Sequence, residues 1–199
     1  VVKLDVSSKA SIDGLDAQLT KIAADGIDVF VSNAGISKPE TLTPVLSSKW
    51  ESWGEHFQTN TTGPFFVTQV LYPYLLKRST KQIFFVSSGV GAIAQFFPFS
   101  SSAYGSSKAA LNHVSVALAF ELKEEGFTVV ALSPGVVTTD MGNTSTPIVL
   151  KNHPEIAELF QSLTITATES ASNLVKVFES TTKEQNGKFL NHDGSELSF

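Results

Sequence analysis

The sequence predicts an α/β fold with a doubly wound parallel sheet. Strand-like apolar runs alternate with stretches whose apolar residues recur at helical spacing, and short loops rich in Ser, Gly and Asn close several of those runs. Such alternation calls for a parallel sheet with helices on both faces. The 199 residues are one domain's worth, enough for a single sizeable core, and no repeat, low-complexity tract or linker divides them.

Taken in order, residues 1–6 read as the first strand. Ile12, Leu15, Leu19 and Ile22 then recur at helical spacing, with Ser11 as the expected N-cap. Residues 27–32 form a second apolar strand, closed by Asn33-Ala34-Gly35. A long helix is expected over residues 48–77, bent at Gly63-Pro64 because an interior proline costs roughly 3 kcal/mol. Gln82–Val86 is the third strand, residues 87–102 a loop rich in Ser, Gly and Phe, and residues 103–125 a helix ended near Gly126. Residues 127–132 read as the fourth strand. An irregular segment over 133–152 leads into short helices, and residues 187–190 make a last short strand.

Composition removes several function classes. The net charge of -5 is modest and spread along the chain, so neither nucleic acid nor an anionic membrane surface is an expected partner. The absence of cysteine excludes disulfides, thiolate catalysis and Cys-based metal sites. The histidines at 56, 113, 153 and 192 show no metal-ligand spacing, so no metal is expected. The longest apolar runs are about six residues against the ~20 needed to span a bilayer. Residue 1 is Val rather than Met, and no secretory signal pattern follows it. A cytoplasmic protein is the expectation.

The sharpest chemical feature is Tyr104-Gly105-Ser106-Ser107-Lys108. On a helix, residues four apart share a face, so phenol and ammonium become neighbours. A free Tyr has a pKa near 10 and exchanges protons poorly at neutral pH. A positive charge ~4 Å away, at an effective dielectric of ~20, would favour the phenolate by ~4 kcal/mol, about three pK units. That would bring Tyr104 into the range where general acid–base catalysis works. Taken alone, the pair could equally be a surface Tyr and Lys on a solvated helix. Ser87-Ser88-Gly89-Val90-Gly91 follows the third strand, where a hydroxyl can steady charge on a carbonyl oxygen. Ser and Gly there could also be plain loop formers. Asn33-Ala34-Gly35 is either a strand-ending turn or a ligand loop. Asn60, just before Gly63-Pro64, is either a solvated helix residue or the holder of an ordered water at a broken backbone.

In this order, Asn33-Ala34-Gly35, Asn60, Ser88, Tyr104-x-x-x-Lys108 and Pro134-Gly135 resemble the short-chain dehydrogenase/reductase family over the whole chain. Residues 134–141 and the ending 187–194 are similar to the sniffer-like carbonyl reductases, a group that includes fungal ketoreductases of aromatic polyketides. The resemblance implies a Rossmann-type sheet and an NADP(H)-dependent reductase of a ketone or aldehyde, with NAD as the alternative cofactor. It makes Tyr104 the proton donor, Lys108 the group that lowers its pKa and holds the nicotinamide ribose, and Ser88 the orienter of the substrate carbonyl. Asn60 would hold a relay water, Asn33 would support the adenosine-side ribose, and Val137 and Thr139 would meet the nicotinamide carboxamide. Asp5 would contact adenine, or else cap the following helix. Trp50, Trp53 and Phe57 form a stripe that is either core or a homodimer face.

Two departures stand out. The stretch between Ser88 and Tyr104 is about three residues longer than in many members of that family, and Phe96, Phe97 and Phe99 in it are expected either to line a pocket for a bulky planar substrate or to pack locally. No glycine-rich phosphate turn is present, so the opening strand reads as the third of the sheet, and the unit of strand, helix and strand before it is missing. We read the sequence as a fragment of a longer enzyme. The alternative is a truncated, inactive member serving as a binding or dimerisation module.

Overall fold

A computed structural model describes all residues from Val1 to Phe199. Residues 1–6, expected as a strand, pair with no other strand. A strand needs a neighbour to complete its ladder, and no other segment of this chain offers one. Val2, Leu4 and Val6 instead lay their side chains on the helical layer beneath. Ser8, rather than Ser11, caps α1 (Lys9–Asp13), its Oγ accepting from Ser11 N at 3.3 Å. The Ser11 hydroxyl turns back and accepts from Asp5 N at 2.8 Å. Gly14 separates α1 from α2 (Leu15–Ile22). Ile12, Leu15 and Leu19 are buried as their spacing requires, whereas Ile22, at the helix end, is 63% exposed.

β1 (Val29–Ser32) is shorter than expected. The long helix over 48–77 is two helices, α3 (Trp50–Phe57) and α4 (Gly63–Leu75), joined through a π-helical turn at Gln58–Thr62. Pro64 sits in the first turn of α4, where a missing N–H costs nothing, so the widened turn carries the break. β2 (Gln82–Val86) has the expected bounds, and α5 (Ser102–Glu121) ends four residues early, its last turns loosening toward Gly126. β3 (Thr128–Ser133) is buried throughout.

The segment over 133–152, expected to be irregular, is instead β4 (Val136–Thr138) and α6 (Asp140–Asn152). Its Gly, Asn, Thr and Pro content hides the helix, which starts because the Thr139 side chain accepts from Gly142 N at 3.2 Å. There follow α7 (Ala157–Leu163), β5 (Thr164–Thr166), α8 (Ala167–Ser180), β6 (Phe189–Asn191) and β7 (Glu196–Leu197). β5 pairs with β4 in a small second sheet.

The main sheet runs β1-β2-β3-β6-β7, parallel except for the last pair. Side chains alternate across it and fill two layers. Ile83, Phe85 and Val129 face α4 and α5, meeting Leu71, Leu75, Leu111 and Leu118. Phe84, Val130, Leu132 and Leu190 face Leu174 and Val177 of α8. The sheet is therefore covered on both sides, and its parallel strands all open at one carboxyl edge. This is the mostly parallel α/β architecture that the alternation predicts.

Gly63 starts α4 against the opening segment, where an added Cβ would lie 2.2 Å from Val6 O. Gly63→Ala is expected to lower the unfolding free energy by about 1–3 kcal/mol. Gly54→Ala, with open space around it, is expected to raise it by about 0.5–1 kcal/mol. Urea titration of both variants checks the pair, and equal effects would refute this view of the α4 contact.

Candidate active site

The carboxyl ends of β1, β2, β3 and β6 open on one cavity of about 850 Å³. Strand mouths in doubly wound sheets are where ligands are held. Ser87 and Ser88 follow β2, and both border the cavity. The Ser87 hydroxyl is buried and donates to Asn112 Oδ1 at 2.5 Å, tying the strand end to α5. Ser88 lines the cavity, and its Oγ accepts from Val90 N at 3.3 Å.

Tyr104 and Lys108, one turn apart on α5, both reach this cavity. Burial pushes the Tyr104 phenol above its usual pKa, while the adjacent Ser88 hydroxyl acts in the opposite sense. The Lys108 ammonium donates to Val86 O at 2.8 Å, and burial lowers its pKa to about 8. The expectation that Lys108 depresses Tyr104 is thus corrected for this arrangement. The ammonium is turned to the strand carbonyl, and desolvation dominates both groups.

Asn60 is fully buried in the π-helical turn. Its Oδ1 accepts from Ile36 N at 2.8 Å, and its Nδ2 donates to Ile36 O at 2.9 Å and to Ser107 Oγ at 3.0 Å. The side chain is therefore a strut between the loop after β1 and α5. Gly35 lies in the gap between strut and ammonium: a Cβ there would stand 3.2 Å from Asn60 Oδ1 and 3.4 Å from Lys108 Nζ. Any larger residue would displace one of them.

The remaining expected residues divide. Asn33, Val137 and Thr139 line the cavity. Asp5 does not, and it does not cap α1 either. Its Oδ1 accepts from Ser7 N at 2.9 Å and from Ser7 Oγ at 2.7 Å, which holds its carboxyl below the usual range. Of the three phenylalanines, Phe97 and Phe99 line the cavity with Phe160, whereas Phe96 is 71% exposed and takes no part. Along the tryptophan stripe, Trp53 stacks on Phe57 and Trp50 stands exposed, so Trp50 is not core.

Sequence reasoning missed three residues. Ser107 is fully buried and donates to Tyr104 O at 2.7 Å while accepting from Asn60, and Thr61 Oγ1 donates to Ser107 O at 2.8 Å. Its spacing of three from Tyr104 was the available signal. His192, after β6, also lines the cavity; it lies inside the ending 187–194, which carries the family resemblance but assigns this residue no role.

The buried ammonium has a measurable cost. The folded pKa of Lys108 lies below its unfolded value, so the unfolded chain binds the extra proton between about pH 8 and 10.5, and stability rises with pH across that window. Lys108→Met is expected to raise the unfolding free energy by up to about 3 kcal/mol near neutral pH. That advantage should shrink toward zero as pH climbs through the window. Urea midpoints for both proteins across this range check it, and a pH-independent difference would contradict the assignment.

Residues 1–148 match the family model for short chain dehydrogenases. An uncharacterized oxidoreductase of Saccharomyces cerevisiae is 43% identical over 200 residues, covering all of this chain and 76% of that protein. A short chain dehydrogenase of Penicillium aethiopicum is 32% identical over 204 residues, again covering this whole chain and 78% of the relative. Among solved structures, the NADPH-bound carbonyl reductase from chicken fatty liver aligns over all of this chain and 76% of its own, with a TM-score of 0.83 and 26% identity. The carbonyl reductase Sniffer of D. melanogaster aligns over 100% and 77%, with a TM-score of 0.84 and 25% identity. The chain belongs to the short-chain dehydrogenase family and is an oxidoreductase with sniffer-like carbonyl reductases among its relatives.

Proposed function

We propose that this chain reduces a ketone or aldehyde to an alcohol with NADPH, Tyr104 supplying the proton. The observation that carries the reading is the pair of hydroxyls, Ser88 and Tyr104, side by side at the mouth of β2 with the Lys108 ammonium behind them. NADP rather than NAD is favoured because the chicken carbonyl reductase is NADPH-bound. Residues 1–199 are taken as one nucleotide-binding unit.

The residues at the strand mouths fit the nicotinamide half of such a cofactor. Gly35 leaves the approach to Lys108 free of a side chain, and Asn33, Val137 and Thr139 surround the same space. Lys108 and Tyr104 would hold the nicotinamide ribose, Asn33 would support the adenosine-side ribose, and Val137 and Thr139 would meet the carboxamide. Asp5 keeps its Oδ2 free of protein donors and would accept from adenine. The cofactor supplies hydride. The protein supplies orientation and a proton.

Ser88 Oγ donates to the substrate oxygen and steadies its growing negative charge. That oxygen becomes an alkoxide, a much stronger base than phenolate, so a phenol kept protonated by burial can still release its proton to it. Lys108, its proton loosened by burial, would then return a proton to the phenolate left behind. Asn60, by fixing the widened turn beside Gly35, would let that turn hold a water through which Lys108 exchanges protons with solvent. The substrate is a small-molecule carbonyl. Phe97, Phe99 and Phe160 make one cavity wall aromatic, which favours a bulky planar ketone of the polyketide kind.

Tyr104→Phe is expected to cut turnover at least about a hundredfold while weakening NADPH binding by no more than about tenfold, the value of one ribose hydrogen bond. Loss of reduced-nicotinamide absorbance, with binding followed separately by fluorescence, checks both. Retained turnover would remove Tyr104 as the proton donor. Phe97→Ala is expected to lower kcat/KM for aromatic ketones about tenfold relative to small aliphatic ones. An unchanged preference would make the aromatic loop a packing feature.

A further inference from the structure

His192 lies in the cavity but has no part in the proton transfer. It follows β6, two strands across the sheet from Ser88 in the order β2-β3-β6. Neighbouring strands are about 4.8 Å apart, so the two strand mouths lie about 10 Å from each other. The ring is held in place. A Cβ on Gly135 would come within 2.8 Å of its Cδ2, and Asn173 Nδ2 on α8 donates to its Nδ1 at 3.3 Å.

An accepting Nδ1 leaves the ring proton on Nε2. That N–H has no partner within the protein and is not sealed away. The neighbouring Asp193 makes no hydrogen bond to it, and its Oδ1 accepts from Ser195 N at 3.0 Å and from Ser195 Oγ at 2.5 Å in its own turn. An oriented donor therefore stands in the cavity, far from the reacting pair, in a space also walled by Phe97, Phe99 and Phe160.

We propose that His192 Nε2–H is a substrate-recognition donor, and that the cavity takes oxygenated aromatic ketones. The flat ring packs on the phenylalanines, the reacting carbonyl meets Ser88 and Tyr104, and a second, distant oxygen accepts from His192. This deepens the reductase reading and rests on it. A nicotinamide carboxamide oxygen presents the same acceptor chemistry, so the test separates the two sources.

Selectivity is measured as the ratio of kcat/KM for a hydroxynaphthyl ketone over its deoxygenated parent, with NADPH. His192→Phe, which keeps a ring and loses the N–H, is expected to lower that ratio about tenfold, the value of one unmade hydrogen bond. His192→Gln, which keeps an N–H, should retain most of it. Equal losses on both ketones overturn the assignment, as does an unchanged ratio in His192→Phe. A raised KM for NADPH with an unchanged ratio gives the N–H to the cofactor instead. Ketone-induced shifts in Tm supply a readout without turnover. If neither ketone is reduced, yet the oxygenated one raises the Tm of the wild type more than that of His192→Phe, recognition stands and the reductase reading falls. If that difference is absent as well, both fall.

Discussion

The Lys108 ammonium held against the carbonyl of Val86 is the contact on which the site depends. A charge taken out of water is costly, and one backbone acceptor offsets only part of that cost. What keeps it there is the packing around it: β2 lies between β1 and β3, its Phe84 and Phe85 fill opposite faces, and Leu111 and Leu118 of α5 share a core with Phe85. The Ser87–Asn112 bond makes a second clamp between the same strand end and the same helix. With α5 pinned at two points, Tyr104, one turn earlier, has little freedom except to stand beside Ser88. The arrangement trades stability for placement.

Much of the fold was legible because its signals are periodic. Ile83–Val86 is an unbroken apolar run between Gln82 and Ser87, and β2 has the bounds expected of it. Ile12, Leu15 and Leu19 mark their helical face by spacing alone. What failed depended on partners rather than on pattern. Residues 1–6 have strand composition, but a ladder is a property of two segments. Conversely, β4 and α6 lie in a stretch whose composition argues for loop, and they form because β5 pairs beside β4 and Thr139 caps the helix. Gly63-Pro64 locates the break before α4 but not its form, since proline is visible in a sequence and a widened turn is not.

The site was legible to the extent that its residues share one element or follow one strand. Tyr104 and Lys108 declare themselves by a spacing of four, and Ser88 by its place after β2. The interplay between them was less readable. Spacing gives proximity, but the charge balance at Tyr104 depends on where the ammonium points, and the Val86 carbonyl draws it away. Ser107 lies inside the Tyr104–Lys108 motif and His192 inside the ending 187–194, yet neither motif assigns them a role. The first acts through backbone and a buried amide, the second through its place just after β6.

The widened turn at Gln58–Thr62 fixes more than a bend. Each residue of a regular helix advances the chain by about 100° of rotation, so one surplus residue there sets the angular phase of everything that follows. Trimming it would restore ideal winding and swing Asn60 off the Ile36 backbone, or else rotate the buried stripe of α4 toward solvent. The imperfection works as a vernier, letting one continuous segment satisfy a polar strut at its middle and an oily seam at its end.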